Sequence, residues 1–342
     1  MTALPVATDQ SAAVSLLELT QGAVVTQSIY AAAKLGIADV LSDGALTAAE
    51  IAERVGSHPE ATYRLLRTLS GYSVFTERED GRFELTPVSD ALREGAPDSM
   101  RGMALVMGHP LLWQEWEHLL TTVRTGEANT PKLRGMSTFD FLMSNPEYAS
   151  TFFQAMGNLS AIETDPVVAA YDFSRFGTII DVGGGGGALL AKILQRAPGS
   201  RGILFDAPHA TGPAAATFEE AGVAARCRVE NGSYFEGVPA GGDAYLLKHT
   251  LHDFQEPQCL AVLGNIRQAI SPDGSLFVVE YVIPGDNARH AGNFIDLWLM
   301  LMLDAKERTS AQYADLFARA GFRLTGVIPT SSPASIIEAT PC

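Results

Sequence analysis

The chain has 342 residues, 46% of them hydrophobic, and a formal net charge of −15. That length accommodates one large domain or two ordinary ones, and the acidic balance argues against nucleic acid or an anionic membrane as the main partner. Its three cysteines, Cys227, Cys259 and Cys342, are odd in number and widely spaced, which fits neither a disulfide framework nor a zinc site and suits a reducing, cytoplasmic setting.

The opening MTALPVATDQ lacks the basic and apolar regions of a signal peptide. Residues up to about 100 read as short helices closed by a hairpin. Thr47-Ala-Ala-Glu50 has the pattern of a capping box, with Leu46 and Ile51 supplying apolar contacts. His58-Pro59-Glu60 starts a second helix, Ala61–Leu69, in which Tyr63, Leu66 and Leu69 share a face. Val74–Glu77 and Arg82–Leu85 flank an Asp80-Gly81 turn. Helix, turn, helix and hairpin are the order of a winged helix, whose usual partner is DNA, here met by Arg64 and Arg67. Residues 1–100, however, hold seven Lys/Arg against fourteen Asp/Glu, and such a surface repels phosphates. A protein–protein role is the better reading.

Residues from about 105 to 170 look helical, with Trp113, Trp116, Phe139, Phe141, Phe152, Phe153 and Met156 scattered through them. Strands then alternate with helices: Thr178–Val182, Gly202–Asp206, Ala225–Glu230, Ala244–Lys248 and Ser275–Tyr281, with helices near Ala188–Gln195, Ala214–Ala221 and Gln258–Ile270. Two more strands, near Phe322–Ile328 and Ser335–Ala339, follow. The alternation implies a doubly wound, mostly parallel α/β sheet. The most apolar late stretch, Leu297–Leu303, is too short to span a bilayer. The expected domains are residues 1–104 and 105–342.

The most informative segment is Thr178–Gly187, TIIDVGGGGG. Consecutive glycines between a strand and a helix lose backbone entropy without contributing packing, so the segment makes a turn that a ligand can approach closely. In an open parallel sheet ligands bind beyond the carboxyl ends of the strands. Those ends carry Asp181 with the glycines, Asp206, the run Asn231-Gly232-Ser233-Tyr234-Phe235, Lys248 leading to His249 and His252, and Glu280. Asp206 stands at about the offset where a carboxylate meets ribose hydroxyls.

With these residues in view, the chain resembles the caffeate-type O-methyltransferases of plant phenolic and bacterial polyketide metabolism, which use S-adenosylmethionine. The likeness is carried by Asp181-Val-Gly-Gly-Gly, Phe205-Asp206-Ala-Pro, Gly232-Ser-Tyr-Phe-Glu-Gly-Val-Pro, Lys248-His-Thr-Leu-His252-Asp253 and Lys306-Glu307-Arg308-Thr309, in the family's order along essentially the whole chain. The resemblance implies a class I, Rossmann-like methyltransferase domain behind a winged-helix dimerisation domain, hence a homodimer. It further implies that Gly183, Gly184 and Gly185 approach the methionyl part of the cofactor, that Asp206 accepts from both ribose hydroxyls, that Ser233 and Tyr234 lie around the adenine, and that Lys248 lines the cofactor pocket. His252 matches the catalytic base, and Glu280 and Glu307 match the acids that flank and orient it. Trp298, Met302, Phe152 and Met156 would line the acceptor site, with plain core as the alternative; His109 would line it or sit in a turn. Ser233 departs from the usual Asp, and Phe254 from the commoner Trp.

The chemistry explains these residue types. A sulfonium methyl is already activated, so the protein must align the acceptor oxygen and exclude water. A neutral phenol is a poor nucleophile until a base such as His252 takes its proton, with a carboxylate on the other ring nitrogen fixing the tautomer. No metal is called for. The expected function is O-methylation of a phenolic or aromatic hydroxyl of a small natural product. His249, three residues earlier, is the alternative base for that reaction or an ordinary satisfied histidine. The alternative functions are the same fold diverted to hydroxylation, decarboxylation or pericyclic chemistry, and a winged-helix regulator with a ligand-sensing domain.

Overall fold

Residues 11–342 are described by a computed structural model, so the opening decapeptide MTALPVATDQ, read above for targeting signals, lies outside the described residues. The chain falls into two compact units, Met1–Trp116 with Leu142–Leu159, and Glu117–Phe141 with Ser160–Cys342. This is not a single cut after residue 104. The chain returns to the first unit because the Gly102 amide donates to Asn158 Oδ1 and because Leu142, Tyr148 and Ala149 bury themselves with Leu111 and Phe152.

In the first unit, helix Ala48–Val55 opens on the expected capping box: the Glu50 amide donates to Thr47 Oγ1, and the Thr47 amide to Glu50 Oε2 at 2.7 Å. Helix Pro59–Gly71 follows, with proline in its first turn. Phe75–Glu77 and Arg82–Leu85 pair antiparallel, and a two-residue strand, Leu46–Thr47, adds to the far side of Arg82–Leu85. That third strand is too short to leave a periodic signal in sequence. Ile51, Leu66, Leu69, Phe75 and Phe83 form the core, each almost fully buried. Burying an apolar side chain of this size contributes about 1.5–3 kcal/mol.

The stretch expected to be helical between 105 and 170 is interrupted. Pro110, Pro131 and Pro146 begin or lie in the first turn of new helices, and Gly126 and Gly135 end helices in the left-handed conformation. The last and longest is Pro146–Ala170.

The second unit holds a seven-stranded sheet. Its first strand, Thr178–Val182, lies between Arg201–Asp206 and Ala244–Lys248, all parallel. Cys227–Asn231 continues one side, and Ser275–Glu280 the other. The antiparallel strand Ser335–Pro341 and then Phe322–Pro329 complete the sheet beyond Ser275–Glu280. Alternate residues of each strand face opposite sides, and both sides are covered. Ile179, Leu204, Leu246 and Phe277 pack with helices Ala188–Arg196 and Ala214–Glu220. Ile180, Ile203, Tyr245 and Leu276 pack with Glu256–Ala269 and Ser310–Arg319. The chain winds in opposite senses from Thr178–Val182, so a crevice opens at the carboxyl ends beside it. Among the described residues no helix is long and apolar enough to cross a membrane.

Candidate active site

The glycine turn lies at the mouth of that crevice. Gly183 and Gly185 have φ of 73° and 54°, a left-handed backbone that favours glycine. Gly184 is held to glycine by space, since a Cβ there would stand 2.4 Å from Asp181 Oδ2 and 2.5 Å from Leu204. A Cβ on Gly185 would meet nothing within 4 Å, which leaves this edge of the turn open to a ligand. Asp206 pins the turn: its Oδ2 accepts from the Gly185 amide at 2.9 Å and its Oδ1 from the Ala207 amide at 2.7 Å. Each oxygen keeps a further lone pair for ribose hydroxyls. Asp181 is buried with both carboxylate oxygens lacking a hydrogen-bond partner, and burial followed by the charge of Asp206 pushes its carboxyl up to about 7. A cradle with open glycine backbone, a ribose-type acid and an unpartnered buried carboxyl fits a cationic nucleoside.

Tyr234 is brought against this cradle, its ring 3.7 Å from where a Cβ of Gly183 would stand. Burial, then the neighbouring charges of Asp206 and Asp253, push its phenol up to about 12. Its ring packs with Phe235 and Phe254, giving an apolar wall suited to a nucleobase. Ser233 accepts from the Phe235 amide and so shapes the turn that carries Tyr234.

His252 lies on a single helical turn, Leu251–Asp253, and is buried. Glu280 Oε1 accepts from the amides of Thr250, Leu251 and His252 at 3.1, 2.7 and 3.1 Å. The exposed amides of a helical N-terminus attract such an anion. Its Oε2 accepts from the Tyr313 hydroxyl. Glu280 therefore holds the backbone of the turn that carries His252. The ring belongs to Glu307, whose Oε1 is 2.7 Å from His252 Nδ1. Asp253 Oδ1 stands 3.6 Å from Nε2, beyond hydrogen-bond distance. Burial works against charge on the imidazole, but Asp253, the hydrogen bond to Glu307 and the charge of Glu280 outweigh it and push His252 up to about 10.

Glu307 reaches His252 across 55 residues of sequence because of two features that sequence reading missed. Arg308–Thr309 pairs in parallel with Val282–Ile283, which begins two residues after Glu280, and this ladder fixes the segment at the end of the sheet. Arg308 is buried and donates to the carbonyls of Leu251 and Phe254, tying Glu307 to the turn that bears the histidine. A KERT motif in sequence signals a conspicuous charge cluster, not that its arginine points inward.

Lys248 donates from Nζ to the Ser160 carbonyl and hydroxyl at 3.0 and 2.8 Å and lies 3.3 Å from Glu163. Burial lowers its ammonium, and Glu163 opposes that. Glu163, on helix Pro146–Ala170, is fully buried and also accepts from the Tyr281 hydroxyl at 2.7 Å and meets His249 Nε2 at 2.7 Å. Burial alone would raise its carboxyl, but His249, Lys248 and Tyr281 hold it down at about 2. Nothing in sequence singled out Glu163, since an isolated acid on a long helix reads as a solvated surface. His249 has φ +49°, which costs a bulky residue about 1–2 kcal/mol.

The expected acceptor-site residues divide between the units. Trp298 and Met302 are buried one turn apart on helix Ala291–Leu303, which adjoins the His252 turn in the second unit. His109, Phe152 and Met156 belong to the first unit. There His109 Nδ1 accepts from the Leu111 amide at the start of a helix, and its ring lies 4.5 Å from that of Tyr148, which in turn neighbours Phe152. Among the described residues no group of three or more His, Cys, Asp and Glu side chains is placed to hold a metal ion.

Comparison with known proteins shows the family of the chain. Residues 116–323 match the O-methyltransferase domain, and residues 17–95 the O-methyltransferase dimerisation domain. The chain is 42% identical over 326 residues to the phenazine O-methyltransferase of Lysobacter antibioticus, covering 95% of each. It is 35% identical to the O-demethylpuromycin O-methyltransferase of Streptomyces alboniger, covering 95% of this chain and 88% of that one. It is also similar to the crystal structure of a methyltransferase of calicheamicin biosynthesis in its SAH-bound form, at 30% identity and a TM-score of 0.89, covering 98% of this chain and 100% of that one.

Proposed function

The chain belongs to the family of S-adenosylmethionine-dependent O-methyltransferases of natural products, and we propose that within it this enzyme methylates a hydroxyl of a small aromatic acceptor, with His252 as general base. The observation that carries this reading is the 2.7 Å contact between Glu307 Oε1 and His252 Nδ1 in a buried site at the cofactor rim. An ionised Glu307 keeps the proton on Nδ1 and leaves Nε2 as the acceptor, the tautomer that a general base requires.

The protein's own part is binding, alignment and proton transfer. Asp206 and the glycine turn would hold the nucleoside, Tyr234 and Ser233 would border its base, and Lys248 would line the pocket. When bound, S-adenosylmethionine supplies an activated methyl group and a positive charge. Positive charge at this rim lowers the proton affinity of His252, which the surrounding acids otherwise raise to about 10. His252 Nε2 then takes the acceptor's proton during attack, worth about 10²–10⁴-fold. Alignment can supply roughly 7–11 kcal/mol, so positioning carries more of the rate than the base. Trp298 and Met302 would line the acceptor site from beside the His252 turn in the second unit.

The intact His252–Glu307 pair favours methyl transfer over a reaction in which the cofactor is a bystander. A homodimer formed through the first unit is supported by its dimerisation domain and by exposed Leu16, Leu17, Leu19 and Val24 on its opening helices. The acidic first hundred residues support a partner other than nucleic acid, and the cysteine usage supports a cytoplasmic setting. The test is incubation with methyl-labelled S-adenosylmethionine and a panel of hydroxyphenazines, naphthols and simple phenols. Label should pass to at least one acceptor, and His252→Ala should slow that transfer by two or more orders of magnitude with cofactor affinity nearly intact. Tight cofactor binding with no transfer to any acceptor would favour diverted chemistry.

A further inference from the structure

We propose that His249 is a positioning residue for His252, a fixed aromatic wall that sets the plane of the base; this rests on reading His252 as the base. The two rings are stacked, with centroids 5.0 Å apart and planes inclined by 27°. Glu307 bonds His252 at Nδ1, and Glu280 bonds only its backbone. One hydrogen bond to a ring nitrogen leaves the imidazole free to swing about that contact. Something must fix the plane, because the plane decides where Nε2 aims, and a misplacement of about 1 Å can cost about 10²-fold in rate.

His249 is built to be that wall. Glu163 Oε2 meets its Nε2 at 2.7 Å, and Glu163 is itself fixed by the Tyr281 hydroxyl and by Lys248. Tyr281 also lies against the His249 ring, with centroids 5.1 Å apart. The His249 amide donates to the Val279 carbonyl, which anchors its left-handed backbone to the neighbouring strand. A fully buried carboxylate and a strained backbone thus hold the ring, whose hydrogen-bonding acid, Glu163, is distinct from the Glu307 that serves His252. An ordinary half-buried histidine needs a partner, but it does not need to stand face to face with the base.

The test uses full-length protein bound to S-adenosylhomocysteine and labelled with 15N-histidine. The His252 Nδ1–H resonance is assigned by its disappearance in His252→Gln. Two variants are compared: His249→Asn, which tolerates the left-handed backbone but removes the ring, and His249→Phe, which keeps a ring. We expect a sharp resonance in the parent and in His249→Phe, and a broadened or absent one in His249→Asn, with affinity for S-adenosylhomocysteine within two-fold throughout. On any acceptor that turns over, His249→Asn should lower kcat at least ten-fold at unchanged KM, and His249→Phe should recover most of that loss. A resonance as sharp in His249→Asn as in the parent, or equal loss in both variants, overturns the proposal; so does a more than ten-fold loss of S-adenosylhomocysteine affinity. The base assignment fails separately, if His252→Ala retains turnover.

Discussion

Replacing Glu307 by Gln changes one charge and almost no volume. Glu307 is buried, and its Oε1 lies 2.7 Å from His252 Nδ1. A hydrogen bond to a charged partner contributes about 1.5–3 kcal/mol, which at about 1.4 kcal/mol per pKa unit corresponds to one to two units of proton affinity. Since Glu307 is one of three acids raising His252, its neutralisation should move the acidic limb of the kcat profile down by about one to two units. A stronger tendency to be neutral would by itself help a base near pH 7. The amide, however, can turn its NH₂ toward the ring, and then Nδ1 accepts while Nε2 carries the proton. Turnover on the plateau should therefore fall, by about 10²-fold or more, although the limb moves in the favourable direction. The assay is initial-rate methyl transfer from pH 6 to 10 in Glu307→Gln and Glu307→Asp, with cofactor saturating. A plateau within two-fold of the parent, together with an unmoved limb, would refute the assignment of Glu307 to the imidazole.

Asp206→Ala removes the pin of the glycine turn and the proposed ribose acceptor together, so calorimetry should find S-adenosylhomocysteine bound ten- to a hundred-fold more weakly. Unchanged affinity would put the ribose elsewhere. Arg308→Met removes a buried cation that donates to the Leu251 and Phe254 carbonyls and thereby unties the Glu307 segment from the His252 turn, so the melting temperature should drop by several degrees and kcat should fall with it. A variant as stable and active as the parent would show that the ladder alone suffices. The raised proton affinity of His252 also makes stability depend on pH. Its contribution is fully present below about 6.5, the ordinary value for histidine, declines above it, and is lost as pH rises through about 10. Urea unfolding of the cofactor-free protein should accordingly show a steeper loss of stability between pH 7 and 10 in the parent than in His252→Gln, and parallel curves would contradict the shift.

The strand–helix alternation and the polyglycine turn were legible in the sequence because they depend on neighbours in the chain. Thr178–Val182 and Ala244–Lys248 have the bounds that hydrophobic pattern and flanking residues suggest, and Thr47 caps its helix through a residue three positions on. Local chemistry of that kind survives folding unchanged. The elements bracketing the cofactor crevice were likewise fixed in order by the strand ends. Resemblance then named His252, Glu280 and Glu307 without saying how they meet.

Their meeting is decided by contacts between residues far apart in sequence. Glu280 serves the backbone of the His252 turn, Glu307 serves the ring, and Arg308 joins the two, because a two-residue parallel ladder delivers that segment to the end of the sheet. Glu163, more than eighty residues before His249, has no sequence signature at all, since its environment comes from contacts inside the second unit with Lys248, His249 and Tyr281. The return of Leu142–Leu159 to the first unit is of the same kind. Periodicity reports which side of an element is buried; only the folded chain specifies which distant side chain waits there, and buried charges accept no substitute for that partner.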